Sequence, residues 1–420
     1  MPYTTRPGHQ LSTDDRQARI ALAMLTEPGD RETAQLIEAF GAPDAFGRAV
    51  AGHAVSAGLA AAVHTRLTEA QLRRPSGGDT AAVARIAATL TDHAQQRAAG
   101  LGARIVTRAD AEWPSRLDDL ARTGLADICP PTALWVRGPL QLADTVAHSV
   151  AIVGAQTATG YGVFVAATLG LGLAEQGWTV VSSGRPGVDV SAHRGALDGA
   201  GATVAVVASG LDQPRANPAV MDQIGAEGLL VTDVPPGTRT AFRHRRSRNR
   251  ILAALSGGTV LVEAGPRSAA RTVITAARQL RRTVMTVPGP VTSPMSAGCH
   301  QELRRPGTTL VTGAGDIIDA VSRAGAAPAS PGLAGQTVYL LTWDQGDGTE
   351  SYVCADAAAA ERRRDALIRE HWNLVNWYDG VPAEPPNDPD AALAIWEATN
   401  VENADAFVGL FTIDAVRVAR

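Results

Sequence analysis

From residue 149 the chain repeats one pattern: a short apolar run, a turn, and then a stretch with apolar residues at helical spacing. The runs at 149–153, 179–182, 203–208, 229–232, 259–263, 283–287 and 309–311 predict strands. Helices are predicted between and after them, at 163–176, 190–200, 218–226, 247–255, 268–280, 298–304 and 315–322. Strands that are apolar throughout, without alternation, must be buried on both faces, as happens when helices cover both sides of a parallel sheet. The expected fold is therefore α/β: a Rossmann-like, doubly wound, mostly parallel sheet, with sites at the carboxyl ends of its strands.

The remainder divides by composition. Residues 1–102 read as short amphipathic helices separated by turns such as Pro28-Gly29-Asp30, forming an N-terminal helical domain that is either a helix-hairpin-helix-like (SAM-like) module or a plain packing domain. Residues 103–147 are less regular and read as a connecting segment leading into the core at 148–323. An Ala/Gly/Pro/Ser linker at 324–336 separates the core from a small C-terminal α+β domain at 337–420, with a hairpin near 338–353 and a helix at 357–371. From Val338 onward there are 15 Asp/Glu against 6 Arg, and four of the seven Trp lie in this part. The net charge of −4 thus hides a basic body and an acidic, Trp-rich appendage.

All 38 basic residues are Arg, because the chain has no lysine. A P-loop, which ends in Gly-Lys-Ser/Thr, and a pyridoxal Schiff base are therefore both excluded. Three scattered cysteines without a CxxC pair suggest neither a disulfide framework nor a zinc site, so no metal and no cofactor are expected. The N-terminal residues lack an apolar signal core, and the longest apolar stretch, 162–174, is short of the roughly 20 residues of a membrane span. A cytoplasmic protein without a membrane partner is expected.

Residues 234–262 contain no acid but hold Arg239, Arg243, His244, Arg245, Arg246, Arg248 and Arg250. Such a cluster repels itself and calls for an anion, unless it is a solvated loop or is paired with carboxylates distant in the chain. It reads as a basic loop that runs into a helix at residue 247. The first strand ends in Gly154-Ala155-Gln156-Thr157-Ala158-Thr159-Gly160, a candidate phosphate cradle at a helix start, though not a dinucleotide fingerprint. The second strand ends in Ser182-Ser183-Gly184-Arg185-Pro186-Gly187, followed by Asp189 and His193 at a spacing that puts them on one helix face. That pair is either acid/base machinery or a local structural contact.

These motifs, with Gly210-Leu211-Asp212, Pro235-Pro236-Gly237-Thr238, Arg248-Asn249-Arg250-Ile251, Val262-Glu263-Ala264, Val287-Pro288-Gly289 and Ser296-Ala297-Gly298-Cys299, occur in an order that resembles the DNA-processing protein DprA/Smf family over about 148–321. The resemblance implies a non-catalytic single-stranded-DNA binder that dimerises, protects incoming strands during transformation and homologous recombination, and helps load the RecA recombinase. It implies a DNA and phosphate surface made of Gly154, Gln156, Thr157, Gly160, Ser182, Ser183, Gly184, Arg185, Gly187, Arg243, Arg245, Arg246, Arg248, Asn249 and Arg250, with Asp189, His193, Glu263, Gly289 and Gly298 in supporting roles. The chain departs from the family pattern in three places. Ala155-Gln156 replaces the usual Ser-Arg, Arg185-Pro186 moves a charge one residue earlier, and His300 stands where Asn is common. Arg243 to Arg246 are expected to compensate.

The alternative is a nucleotide-binding sensor or a phosphoribohydrolase-like enzyme on a related fold, with Glu263 and Arg271 at a ribose-phosphate site, although that family's Pro-Gly-Gly-x-Gly-Thr motif is missing. The acidic appendage reads as a structural or partner-binding unit, or as a DNA mimic that covers the arginines.

Overall fold

The computed structural model describes residues 13–75, 79–122, 129–213, 216–326, 337–344, 349–354, 356–372, 381–402 and 410–417. They fall into two compact units, one within 8–326 and one within 327–420. The first unit opens with helices α1 (Thr13–Leu25), α2 (Arg31–Phe40), α3 (Ala42–Ala51), α4 (Ala57–Glu69) and α5 (Thr80–Gly100). Asp30 starts α2 by accepting the Thr33 N–H at 2.7 Å, as an N-cap carboxylate should. Leu22, Leu25, Phe46, Val63, Leu67 and Leu90 close the helical core.

A nine-stranded sheet follows. In chain order it is built from β1 (Ala103–Val106), α6 (Asp119–Arg122), β2 (Leu134–Arg137), α7 (Leu142–Thr145), β3 (Ser149–Val153), α8 (Gly160–Glu175), β4 (Thr179–Ser182), α9 (Val188–Asp198), β5 (Thr203–Val206), α10 (Pro218–Glu227), β6 (Leu229–Thr232), α11 (Phe242–Leu255), β7 (Gly258–Leu261), α12 (Arg271–Gln279), β8 (Thr283–Thr286), α13 (Ala297–Leu303), β9 (Thr308–Leu310) and α14 (Ala314–Ala326). The strand order is β1-β2-β6-β5-β4-β3-β7-β8-β9, with every pairing from β6 to β9 parallel. Period-two packing explains why β3 is apolar throughout: Val150 and Ile152 join a cluster with Ala166, Leu169 and Leu173 of α8, while Ala151 and Val153 join Ile251, Leu252 and Leu255 of α11. The doubly wound α/β fold is thereby established.

Two expectations need correction. The segment 103–147 does more than connect, because β1 and β2 pair antiparallel with each other and β2 pairs antiparallel with β6, extending the sheet. The basic stretch is not a loop up to residue 247. The helix begins at Phe242, so Arg243, Arg245 and Arg246 project from its first turns. Beyond Ala326, the predicted linker lies outside the described residues.

The second unit holds β10 (Thr337–Asp344), β11 (Thr349–Cys354), α15 (Ala357–Glu370), α16 (Pro389–Glu402) and β12 (Leu410–Arg417), with β10 central in an antiparallel sheet. Its core is aromatic: the Trp343 ring stacks on Phe411 at 5.5 Å between centroids and meets Trp396 edge-on at 6.3 Å.

Trp135 of β2 is fully buried and packs in one cluster with Ile20 of α1 and Ile224 of α10. Trp135→Ala is therefore expected to lower the unfolding free energy by about 3–5 kcal/mol. Denaturant titration checks this, and a small loss would mean that β2 is not integral to the sheet.

Candidate nucleic-acid interface

The chain runs outward from β3 through β4, β5 and β6 and then returns to lay β7 on the other side of β3. The carboxyl ends of β3 and β7 thus flank the switch point where doubly wound sheets take ligands. Here that crevice is filled by the protein itself. The Glu263 carboxylate accepts the Thr159 N–H at 2.8 Å and the Thr159 hydroxyl at 2.7 Å, placing a negative charge at the start of α8. A Cβ on Gly162 would lie 2.3 Å from Glu263 Oε2, which explains the glycine. The helix start expected to cradle a phosphate is therefore already capped by Glu263, while Gln156, Thr157, Thr159 and Gly160 remain exposed on its rim.

The loops after β3 and β4 are stitched together. Val188 N–H donates to the Ala155 carbonyl at 3.1 Å. Gly187 sits at φ +81°, where a Cβ would fall 2.3 Å from that same oxygen. Gly154 is equally constrained, since a Cβ there would lie 2.6 Å from Val188 Cγ2. Gly289 faces Ser296 and Gly298 faces the Ala264 carbonyl at similarly short range, so both allow close approach of chain segments. Gly184 packs against Met221 in the same way.

Cations gather one loop further along. Arg248 is only 4% exposed, and its Nη2 and Nε donate to Asn249 Oδ1 at 2.7 and 3.1 Å. Burial and the like charge of Arg185 lower its pKa to about 10, the Asp189 carboxylate opposes this, and Arg245 adds a further like charge. Arg185 itself reaches Asp189 at 3.5 Å and the Ser183 hydroxyl at 3.3 Å. Among the described residues no carboxylate lies within ion-pairing distance of Arg248. A buried guanidinium that is repelled by two neighbours and only partly neutralised favours an incoming anion.

The structure brings Arg185, Arg245 and Arg248 together and leaves Arg243 and Arg246 exposed on the same helix. It takes Arg250 elsewhere. Arg250 is buried and paired with Asp233 at 3.2 Å, and its guanidinium packs so closely on Gly29 that a side chain there would collide. Expected at the DNA surface, it is instead an internal tie between the helical module and the sheet. Asn249 also turns inward, donating to the Thr272 hydroxyl at 2.6 Å. Ser182 is buried with its hydroxyl on the Ile152 carbonyl at 2.5 Å, and Ser183 donates to Asp189. Asp189, pushed up by burial and held down by Arg185 and Ser183, also accepts from Gly154 N–H at 3.3 Å. His193 does not join it. Its Nδ1 meets the Thr203 hydroxyl at 2.7 Å, and burial lowers its pKa to about 4, so it is neutral and structural at physiological pH.

Two contributors escaped the sequence reading. Phe242 is 70% exposed at the start of α11 with the Arg245 guanidinium 5.6 Å from its ring centroid, and a lone aromatic inside an acid-free arginine run was the available signal. Glu27, from the helical module, takes Arg243 Nε at 2.7 Å and also pairs with Arg66 and His244. Because His244 Nδ1 accepts the Ala241 N–H, its Nε2 carries the proton offered to Glu27. Burial would raise the Glu27 pKa, yet the His244 bond and the charges of Arg66 and Arg243 hold it down to about 2.

Among the described residues no helix is long and apolar enough to cross a membrane, and no group of three or more potential metal ligands occurs. Fold and site together define a doubly wound α/β protein whose cationic surface lies beside a self-filled switch point. The chain belongs to the DNA recombination-mediator protein A family, whose model matches residues 104–322. It is 46% identical over 231 residues to a Mycobacterium tuberculosis protein described as a DNA processing protein DprA, covering 53% of this chain and 59% of that protein. It is 34% identical to the DNA processing protein DprA of Streptococcus pneumoniae, covering 49% of this chain and 72% of the relative. The X-ray structure of DprA from Streptococcus pneumoniae superposes with a TM-score of 0.54 at 24% identity, covering 73% of this chain and 98% of that one, and supports the fold.

Arg250→Ala, which leaves Asp233 buried without its counter-charge, is expected to destabilise the protein by about 3–5 kcal/mol. Arg245→Ala on the exposed face should change stability by no more than about 0.5 kcal/mol. Equal losses in denaturant titration would refute this division of roles. Since the folded-state pKa of Glu27 is about 2 against 4.5 when free, its stabilisation is full above pH 4.5 and disappears as pH falls toward 2. Glu27→Gln should therefore cost about 1–2 kcal/mol at neutral pH, discounted for partial solvation, and the gap to the parent should close through that acid window.

Proposed function

We propose that this chain is a non-catalytic single-stranded-DNA binder that serves DNA processing and recombination. The observation that carries the reading is the buried, under-neutralised Arg248, which feels the like charge of Arg185 and Arg245, together with the exposed ring of Phe242 beside Arg245 on the same helix. Guanidinium groups grip phosphates bidentately, and a free aromatic face stacks on a base, which only an unpaired strand presents. Arg243, Arg246, Gln156, Thr157 and Gly160 extend the surface along the same edge of the sheet. Arg250, Ser182 and Ser183 support it from beneath.

The family membership supports a role as mediator. On this reading the chain dimerises, shields incoming strands during transformation, and hands them to the RecA recombinase. A nucleotide-sensing or phosphoribohydrolase-like activity is disfavoured, since a ligand at the switch point would have to displace the Glu263 carboxylate from Thr159. The departure at Gln156 removes one charge from the rim, and the Arg-rich first turns of α11 are the natural compensation.

Titration of the full chain with a fluorescent single strand tests the proposal. Phe242→Ala should weaken binding by about 1–3 kcal/mol. Arg185→Ala/Arg245→Ala should flatten the salt dependence of log K by about 1.4, at roughly 0.7 for each lost phosphate contact. Duplex competitor should displace the strand poorly. Unchanged affinity and salt slope in both variants would overturn the assignment.

A further inference from the structure

The helical module holds a cavity of about 360 Å³ where the α4–α5 connection meets the first turns of α5. Its floor is apolar, formed by Leu72, Ala82 and Ile86, and its rim carries three guanidinium groups, from Arg73, Arg74 and Arg85. The single carboxylate in the lining, Asp79, is committed to the helix start, accepting the Ala82 N–H at 2.8 Å. Arg74 donates to the Ala60 carbonyl at 3.1 Å, which fixes one wall. Among the described residues no carboxylate pairs with Arg73, Arg74 or Arg85.

Clefts of roughly 300–1,000 Å³ accommodate small-molecule-sized groups. An apolar floor under a cationic rim suits a group that is flat and uncharged at one end and anionic at the other, which describes a nucleotide unit. An acidic peptide would leave the apolar floor uncovered. We infer that this cavity is a second polynucleotide contact, taking one unpaired base over Leu72, Ala82 and Ile86 and its flanking phosphates on Arg73 and Arg85. The inference rests on the strand-binding reading and extends it: the helical module then shares the load with α11. The link between the two is physical, because Glu27 and Gly29 of the same module hold Arg243 and Arg250 of α11.

Photocrosslinking with a bromodeoxyuridine-substituted single strand, followed by peptide mapping, tests this on the full chain. Two adducts are expected, one near Phe242 and one within 72–89. Arg73→Glu/Arg85→Glu, which leaves the fold-fixing Arg74 in place, should remove only the second and flatten the salt slope by about 1.4. A thermal melt matching the parent shows that the variant is folded. An adduct at 72–89 that survives in this variant would overturn the inference, as would adducts at Phe242 alone, and the latter result would leave the proposed function standing. Absence of both adducts would sink both readings. Polyglutamate that protects the cavity arginines from a guanidinium-modifying reagent while an excess of strand does not would also overturn the inference, in favour of an acidic protein.

Discussion

The molecule depends on one electrostatic constraint: α11 carries five arginines among its first nine residues and must still pack its other face against the sheet. Ile251, Leu252 and Leu255 supply the hydrophobic attachment. Two carboxylates from other elements make the charge tolerable, Asp233 at the end of β6 for Arg250 and Glu27 of the helical module for Arg243. Neither reaches Arg248. A buried pair is rarely a net gain in stability, but removing one partner is expensive, so Asp233 and Arg250 fix where α11 sits more than how tightly the protein folds. The leftover charge is what gives the surface its appetite for an anion.

The second organising fact is the closure of the switch point. In a doubly wound sheet the crevice between the two central strands is the default ligand site. Glu263 spends its carboxylate on the helix start there, so the β3–α8 loop becomes a structural joint, locked by Gly154, Gly187 and Val188. The proposed strand surface accordingly centres on the β4–α9 turn and α11, with the exposed residues of the β3–α8 loop at its margin. This separates the chain from nucleotide-binding relatives of the same architecture, in which a free helix N-terminus carries the phosphate.

Much of this was legible in the sequence, and the limits have physical causes. Strands β3 to β8 announced themselves because burial on both faces forces an apolar run, whereas β9 lies half-exposed at the sheet edge. Strands β1 and β2 did not, since they stand outside the strand–helix repeat: they pair antiparallel on one side of the sheet, and the loops marked by Trp113-Pro114 and Cys129-Pro130-Pro131 interrupt the pattern around them. The start of α11 was missed because a run of arginines at helical spacing carries no apolar stripe. The opposite fates of Arg245 and Arg250 were invisible, because what separates them is Asp233, which lies 17 residues earlier in the chain, and Gly29 from another part of the fold. The Asp189 and His193 spacing was read correctly as one helix, but spacing could not reveal that Thr203 of β5 claims the imidazole.

The helical module, compositionally an ordinary packing domain, is tied into the functional edge by charge. Glu27 gathers Arg66 from its own module and Arg243 and His244 from α11, so three cationic or donor groups converge on one carboxylate. Such a hub is short-ranged and partly sheltered, and it therefore resists salt better than exposed ion pairs do. Phosphate and Glu27 are chemically similar partners for Arg243. When a strand is absent, Glu27 keeps the first turn of α11 ordered. On the proposed strand-binding reading the same arginine is already held in place for a phosphate, and little ordering entropy would remain to be lost. An internal carboxylate thus explains how an arginine-dense helix keeps its first turns in place.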